Sequence, residues 1–179
     1  TTVIQHLLEQ VRLAEFKDTL VVTGAHHDPI QEALGVEEVE ISFHPDWELG
    51  MGSTISKGIR EVEYRFTGIG GVLILLVDQP LITPDYLKCI LDAHHNRPEA
   101  IIASDYGESA GAPALFPKRF WAALKGIPTA LGARKLIASY RTQCQILDPA
   151  GAIADIDTPE AYKKALAIFR SNQTKNVTK

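Results

Sequence analysis

The chain has 179 residues, 45% hydrophobic and 22% charged, with a formal net charge of −4. That length suits one domain with a substantial core. The charge balance, with no basic block, excludes a general nucleic-acid binder, and no apolar run is long enough to cross a bilayer. No pattern of a secretory leader opens the sequence, so the expected location is cytoplasmic and no membrane partner is expected.

The first element is a helix. Val3, Ile4, Leu7, Leu8 and Val11 recur at helical spacing. Residues 19–23 form a short buried strand closed by Gly24. Asp28-Pro29 suits an N-cap followed by proline at the first helical position, with the helix reaching about Leu34. Residues 39–43 alternate as a strand nearer an edge, and residues 45–50 are a loop. Ser53 opens the next helix, whose core face is Ile55, Ile59 and Val62.

Residues 72–77 are apolar without alternation. That pattern predicts a central strand of a parallel sheet, covered on both faces. Pro80 cannot donate to a ladder and should end the pairing. Thr83-Pro84-Asp85 repeats the cap-and-proline signal for a helix through Leu87, Ile90 and Leu91. Residues 100–104 are a strand. Residues 112–116 are another, placed by their prolines at an edge or after a bend. Helices over 118–124 and 133–140 precede a strand over 144–147. A last helix opens at Asp157-Thr158-Pro159, with Tyr162, Ala165, Leu166 and Phe169 on one face. The polar residues 171–179 are expected to be a mobile tail. Strands alternate with helices, so the predicted class is α/β with a mostly parallel sheet, a single domain over residues 1–170.

Asp78 follows the most apolar strand, at the sheet edge where open α/β folds bind ligands. A carboxylate there either holds Mg²⁺ against a phosphate or caps a turn. Gly50-Met51-Gly52-Ser53 stands before a helix, as a turn or as a cradle whose first-turn amides attract an anion. Gly132-Ala133-Arg134 opens another helix and puts a cation where the helix dipole disfavours one. Arg134 therefore meets either a phosphate or a nearby carboxylate. Asp155 and Asp157 share one face of an extended segment and can join Asp78 on a metal, while Asp157 also suits a helix cap. Gly111-Ala112-Pro113 lets the backbone pass close to a substrate, or simply stiffens a loop. Cys89 and Cys144 read as buried free thiols. The doublets His26-His27 and His94-His95 diverge too far to share an ion.

In this order and at these separations, Gly50-Met-Gly-Ser53, Asp78-Gln79-Pro80-Leu81, Gly111-Ala112-Pro113, Gly132-Ala133-Arg134 and Asp155-Ile-Asp-Thr-Pro159 resemble the MobA-like nucleotidyltransferases. The closest member type is the molybdenum cofactor cytidylyltransferase, or MocA type. The resemblance implies a three-layer, Rossmann-like nucleotidyltransferase fold. It also implies transfer of a nucleotide from a triphosphate, CTP favoured, to the terminal phosphate of a molybdopterin-type cofactor, with Mg²⁺. Asp78 would be the catalytic metal ligand and Asp157 a second one. Gly50, Met51, Gly52, Ser53, Gln79, Pro80, Gly111, Pro113, Gly132, Ala133 and Arg134 would seat substrate. A molybdoenzyme is the implied partner. The family opens with a strand and a Gly-rich triphosphate loop that nothing here matches, which corresponds to a fold without its first strand. A non-catalytic pterin-cofactor carrier and a sugar- or polyol-phosphate nucleotidyltransferase are the alternatives.

Overall fold

The computed structural model describes residues 2–35, 39–151 and 153. In chain order these form α1 (Val3–Leu13), β1 (Leu20–Thr23), α2 (His27–Leu34), β2 (Glu40–Phe43), α3 (Met51–Arg65) and β3 (Gly71–Ile74). Then come α4 (Pro84–Asn96), β4 (Ile101–Asp105), β5 (Ala110–Pro117), α5 (Trp121–Lys125), α6 (Ala133–Ser139) and β6 (Cys144–Leu147). The expected last helix, with Asp155 and Asp157, and the tail lie outside the described residues.

Local chemistry starts these helices. Thr2 Oγ1 accepts from the Gln5 amide while Gln5 Oε1 accepts from the Thr2 amide, a reciprocal capping box at the head of α1. Thr83 Oγ1 accepts from the Tyr86 amide at 3.3 Å, with Pro84 as the first residue of α4. Two helices open earlier than their sequence signals suggest. α2 begins at His27, so Asp28 lies in its first turn rather than at its cap. α3 begins at Met51, because a 3₁₀ turn over Trp47–Leu49 already winds the chain toward the helix.

β1 pairs parallel with β2, and the remaining strands form a sheet in the order β3-β5-β4-β6. β4 and β6 run parallel, while β5 is antiparallel to both β3 and β4. One reversed strand thus interrupts a sheet that otherwise runs in one direction. Of the two placements its prolines suggested, an edge or after a bend, the edge is ruled out: β5 lies inside the sheet. Pro117 falls at its last position, opposite Gly71. Pro113 falls in a bulge: Ala103 pairs with Ala114 and Ser104 with Gly111, which leaves Ala112 and Pro113 out of the ladder.

β3 departs from expectation in a second way. It is an edge strand among the described residues, and its ladder stops at Ile74 rather than at Pro80. The apolar run is still covered on two faces. Val72 and Ile74 pack on the layer of α3, α5 and α6, with Ile59, Phe116, Trp121, Leu124 and Ile137. Leu73 and Leu75 pack oppositely, against Leu7, Val11 and Leu87 of α1 and α4. An unbroken apolar run reports cover above and below a strand; it does not report the strand's neighbours within the sheet. β4 divides the same way, Ile101 and Ala103 to one layer and Ile102 to the other. The result is a three-layer α/β/α architecture.

No helix among the described residues is long and apolar enough to cross a membrane. Both cysteines are free, but only Cys144 is shielded, its thiol donating toward the Tyr140 carbonyl at 3.2 Å. Cys89 is exposed, on the flank of α4 beside the buried stripe of Tyr86, Leu87, Ile90 and Ala93.

Candidate active site

Two of the motifs singled out above build one wall together. Gly50 has φ +109°, a backbone state that favours glycine, and a Cβ there would lie 2.8 Å from the Thr129 carbonyl oxygen. A Cβ on Gly52 would lie 2.2 Å from the Pro128 carbonyl oxygen and 2.7 Å from that of Leu131. The Gly52 amide donates to the Thr129 carbonyl at 2.8 Å and the Ser53 amide to Gly50 at 3.1 Å. These glycines let the head of α3 dock backbone to backbone on residues 128–131. Ser53 is buried; its hydroxyl donates to the Gly50 carbonyl at 2.7 Å and lies 2.9 Å from His44 Nε2. Met51 is exposed and reaches across to Gly132, where a Cβ would come within 2.7 Å of its sulfur.

Gly132 caps α6, Ala133 is buried in the core and Arg134 stands exposed in the first turn. Here the second group begins. The Arg134 guanidinium carbon lies 4.9 Å from the ring centre of Tyr106, a cation–π contact. No described carboxylate forms an ion pair with Arg134. Tyr106 follows β4 in the turn to β5, closed by its own amide donating to the Ser109 carbonyl at 2.9 Å. Its ring covers Gly111, where a Cβ would lie 3.1 Å from the ring and 3.5 Å from Arg134 Nε. Its hydroxyl donates to the Ala112 carbonyl at 2.5 Å and accepts from Gln79 Nε2 at 2.6 Å.

Gln79 is wholly buried in the segment between β3 and α4, with half-buried Asp78 beside it. The next residue, Pro80, is tied through its carbonyl to His6 Nε2 at 3.2 Å. Pro113 is fixed from below: Ser104 Oγ donates to its carbonyl at 2.8 Å, and the Tyr86 hydroxyl donates to Ser104 Oγ at 2.7 Å. Burial pushes the Tyr86 phenol above its ordinary range, so it remains a protonated donor.

Gln79, Gly111 and Arg134 therefore converge on Tyr106, Pro113 is held beside them by Ser104, and residues 50–53 join through Met51 and Gly132. Asp157 lies outside the described residues. Tyr106, His44, Ser104 and the 128–131 segment were not legible as site residues. The only sequence signal near Tyr106 is turn chemistry: Asp105 Oδ1 accepts from the Gly107 amide at 2.8 Å, and Gly107 has φ +80°.

Chemically, the arrangement offers a carboxylate, a buried amide and a guanidinium with no described carboxylate partner, on loops beyond the ends of β3 and β4 and at the head of α6. That combination suits a phosphorylated ligand.

Residues 1–144 match the family model of the MobA-like NTP transferase domain. The chain is 32% identical over 120 residues to the purine catabolism protein PucB of Bacillus subtilis, covering 65% of this chain. It spans 56% of the length of that relative. Among solved structures, Rv0371c of Mycobacterium tuberculosis, solved as a complex with manganese, superposes with a TM-score of 0.75 at 23% identity. That match covers 93% of this chain and 87% of the other. Molybdopterin-guanine dinucleotide biosynthesis protein A of Archaeoglobus fulgidus superposes with a TM-score of 0.68 at 14% identity, covering 96% and 87%. At these identities the two structures share the fold.

Proposed function

The chain belongs to the MobA-like NTP transferase domain family, and from that premise we propose that it transfers a nucleotide, CMP by preference, from a nucleoside triphosphate to the terminal phosphate of a molybdopterin-type cofactor. One observation carries the reading. Three residues from separate segments of the sequence, Gln79, Gly111 and Arg134, meet on the Tyr106 side chain. Such a convergence positions phosphates, and nucleotidyl transfer demands positioning and charge neutralisation more than a protein nucleophile.

A terminal phosphate oxygen of the acceptor attacks the α-phosphorus in line. The new O–P bond forms as the bridging bond to the β-phosphate breaks, and pyrophosphate leaves. Arg134 offsets negative charge on the acceptor phosphate. Asp78 offers hard carboxylate oxygens, which suit Mg²⁺ or Mn²⁺. No three His, Cys, Asp or Glu side chains gather into a metal site among the described residues. Mg²⁺ commonly takes one or two carboxylates and completes its shell with substrate phosphate and water; Asp78 would be one such carboxylate and Asp157 the second. A bound divalent ion supplies charge neutralisation on the phosphates.

The test is pyrophosphate release with the pterin cofactor, Mg²⁺ and either CTP or GTP. Asp78→Ala is expected to lower turnover at least about a hundredfold while leaving the thermal midpoint near that of the parent. Binding of the pterin without any pyrophosphate release would support a carrier in place of a transferase. Release with sugar phosphates but not with the pterin would reassign the acceptor.

A further inference from the structure

We infer that Tyr106 is a positioning residue that couples the Asp78–Gln79 segment to Arg134, setting both from a single side chain; the inference rests on the nucleotidyltransferase reading. Two chemically separate parts of the side chain do two jobs. The hydroxyl accepts from the buried Gln79 amide at 2.6 Å and donates to the bulged Ala112 carbonyl at 2.5 Å. It thereby fixes the residue next to Asp78 against the bulge. The ring face holds the guanidinium of Arg134 at 4.9 Å. A guanidinium held over a ring by its charge spends none of its N–H donors on the ring's edge, so they serve contact with a phosphate.

The local sequence explains why the ring can reach both. Gly111 presents no side chain beneath it, and any Cβ there would press on the ring at 3.1 Å. The two-residue bulge at Ala112 and Pro113 turns a carbonyl out of the ladder toward the hydroxyl. Anchoring of Pro113 by Ser104 then fixes the bulge itself.

Because the two jobs use different atoms, two substitutions separate them. Tyr106→Phe keeps the ring and removes the hydroxyl; Tyr106→Leu removes both. In the ligand-free protein, Tyr106→Phe is expected to speed exchange of the Gln79 side-chain amide about tenfold, with the Arg134 Nε–H resonance unmoved. In pyrophosphate-release kinetics it lowers kcat about tenfold and leaves the KM for the acceptor within about twofold. Tyr106→Leu additionally moves the Arg134 resonance out of the ring current and raises that KM about tenfold. Adding Arg134→Ala to Tyr106→Leu raises it no further. A purely structural tyrosine would make Phe and Leu shift kcat and KM together, and that result overturns the coupling. So does additivity of the Leu and Arg134→Ala effects on KM. Should the parent protein release no pyrophosphate, the transferase reading fails, and the amide and guanidinium resonances still decide the coupling.

Discussion

Gly52 shows how much one missing side chain can matter. It was legible as part of a glycine-rich step before a helix, but a turn and a ligand cradle leave the same trace. Packing distinguishes what the glycine is for: its Cα faces two carbonyl oxygens of the 128–131 segment. Gly52→Ala must displace backbone, not a flexible side chain, so it should cost about 3 kcal/mol and roughly 10 °C in thermal midpoint, read by calorimetry. His94 carries a pH dependence of its own. Burial, aided by the neighbouring His95, pushes its imidazole below the ordinary value of 6.5, against a smaller opposing pull from Glu99. The unfolded chain therefore binds the proton more readily than the folded one. This contribution is fully present above pH 6.5 and is lost as pH falls through the lower folded value. Urea midpoints measured from pH 7.5 downward should fall, and His94→Gln should flatten that fall.

The β4–β5 pair is the element on which the site depends. Its prolines marked an irregularity that the sequence left open as an edge or a bend. The ladder decides: β3 and β4 both pair with β5, so the strand is interior, and the register shift leaves Pro113 out of the ladder. Beneath the bulge, the chain of hydroxyls from Tyr86 through Ser104 to the Pro113 carbonyl is buried. Its members should not be equivalent. Tyr86→Phe removes one donor and leaves Ser104 bonded to Pro113, at about 1 kcal/mol. Ser104→Ala strips a partner from both Tyr86 and Pro113 and should cost about 2–3 kcal/mol. Equal denaturant midpoints for the two variants would count against the hydrogen-bond chain as drawn.

At the scale of the molecule, stability and chemistry sit in different places. The layers of α1 and α4 on one face, and α3, α5 and α6 on the other, bury Phe116, Leu87, Ile90 and Leu124 almost completely. Phe116→Ala should cost about 3–5 kcal/mol. Arg134→Ala, at the exposed rim, should change stability by no more than about 0.5 kcal/mol while weakening the acceptor; parallel thermal melts and kinetics check the contrast. Readable from the residues alone were the alternation of helices and strands, the cap at Thr83, the two-sided cover of β3 and the five motif segments. These are properties of neighbouring residues, and periodicity and capping are local physics. Folding in three dimensions made β3 an edge among the described residues, ran β5 backward inside the sheet, and brought Gln79 and Arg134 onto Tyr106. Strand order and side-chain meetings depend on which surfaces find one another across tens of residues, and no local pattern encodes that choice.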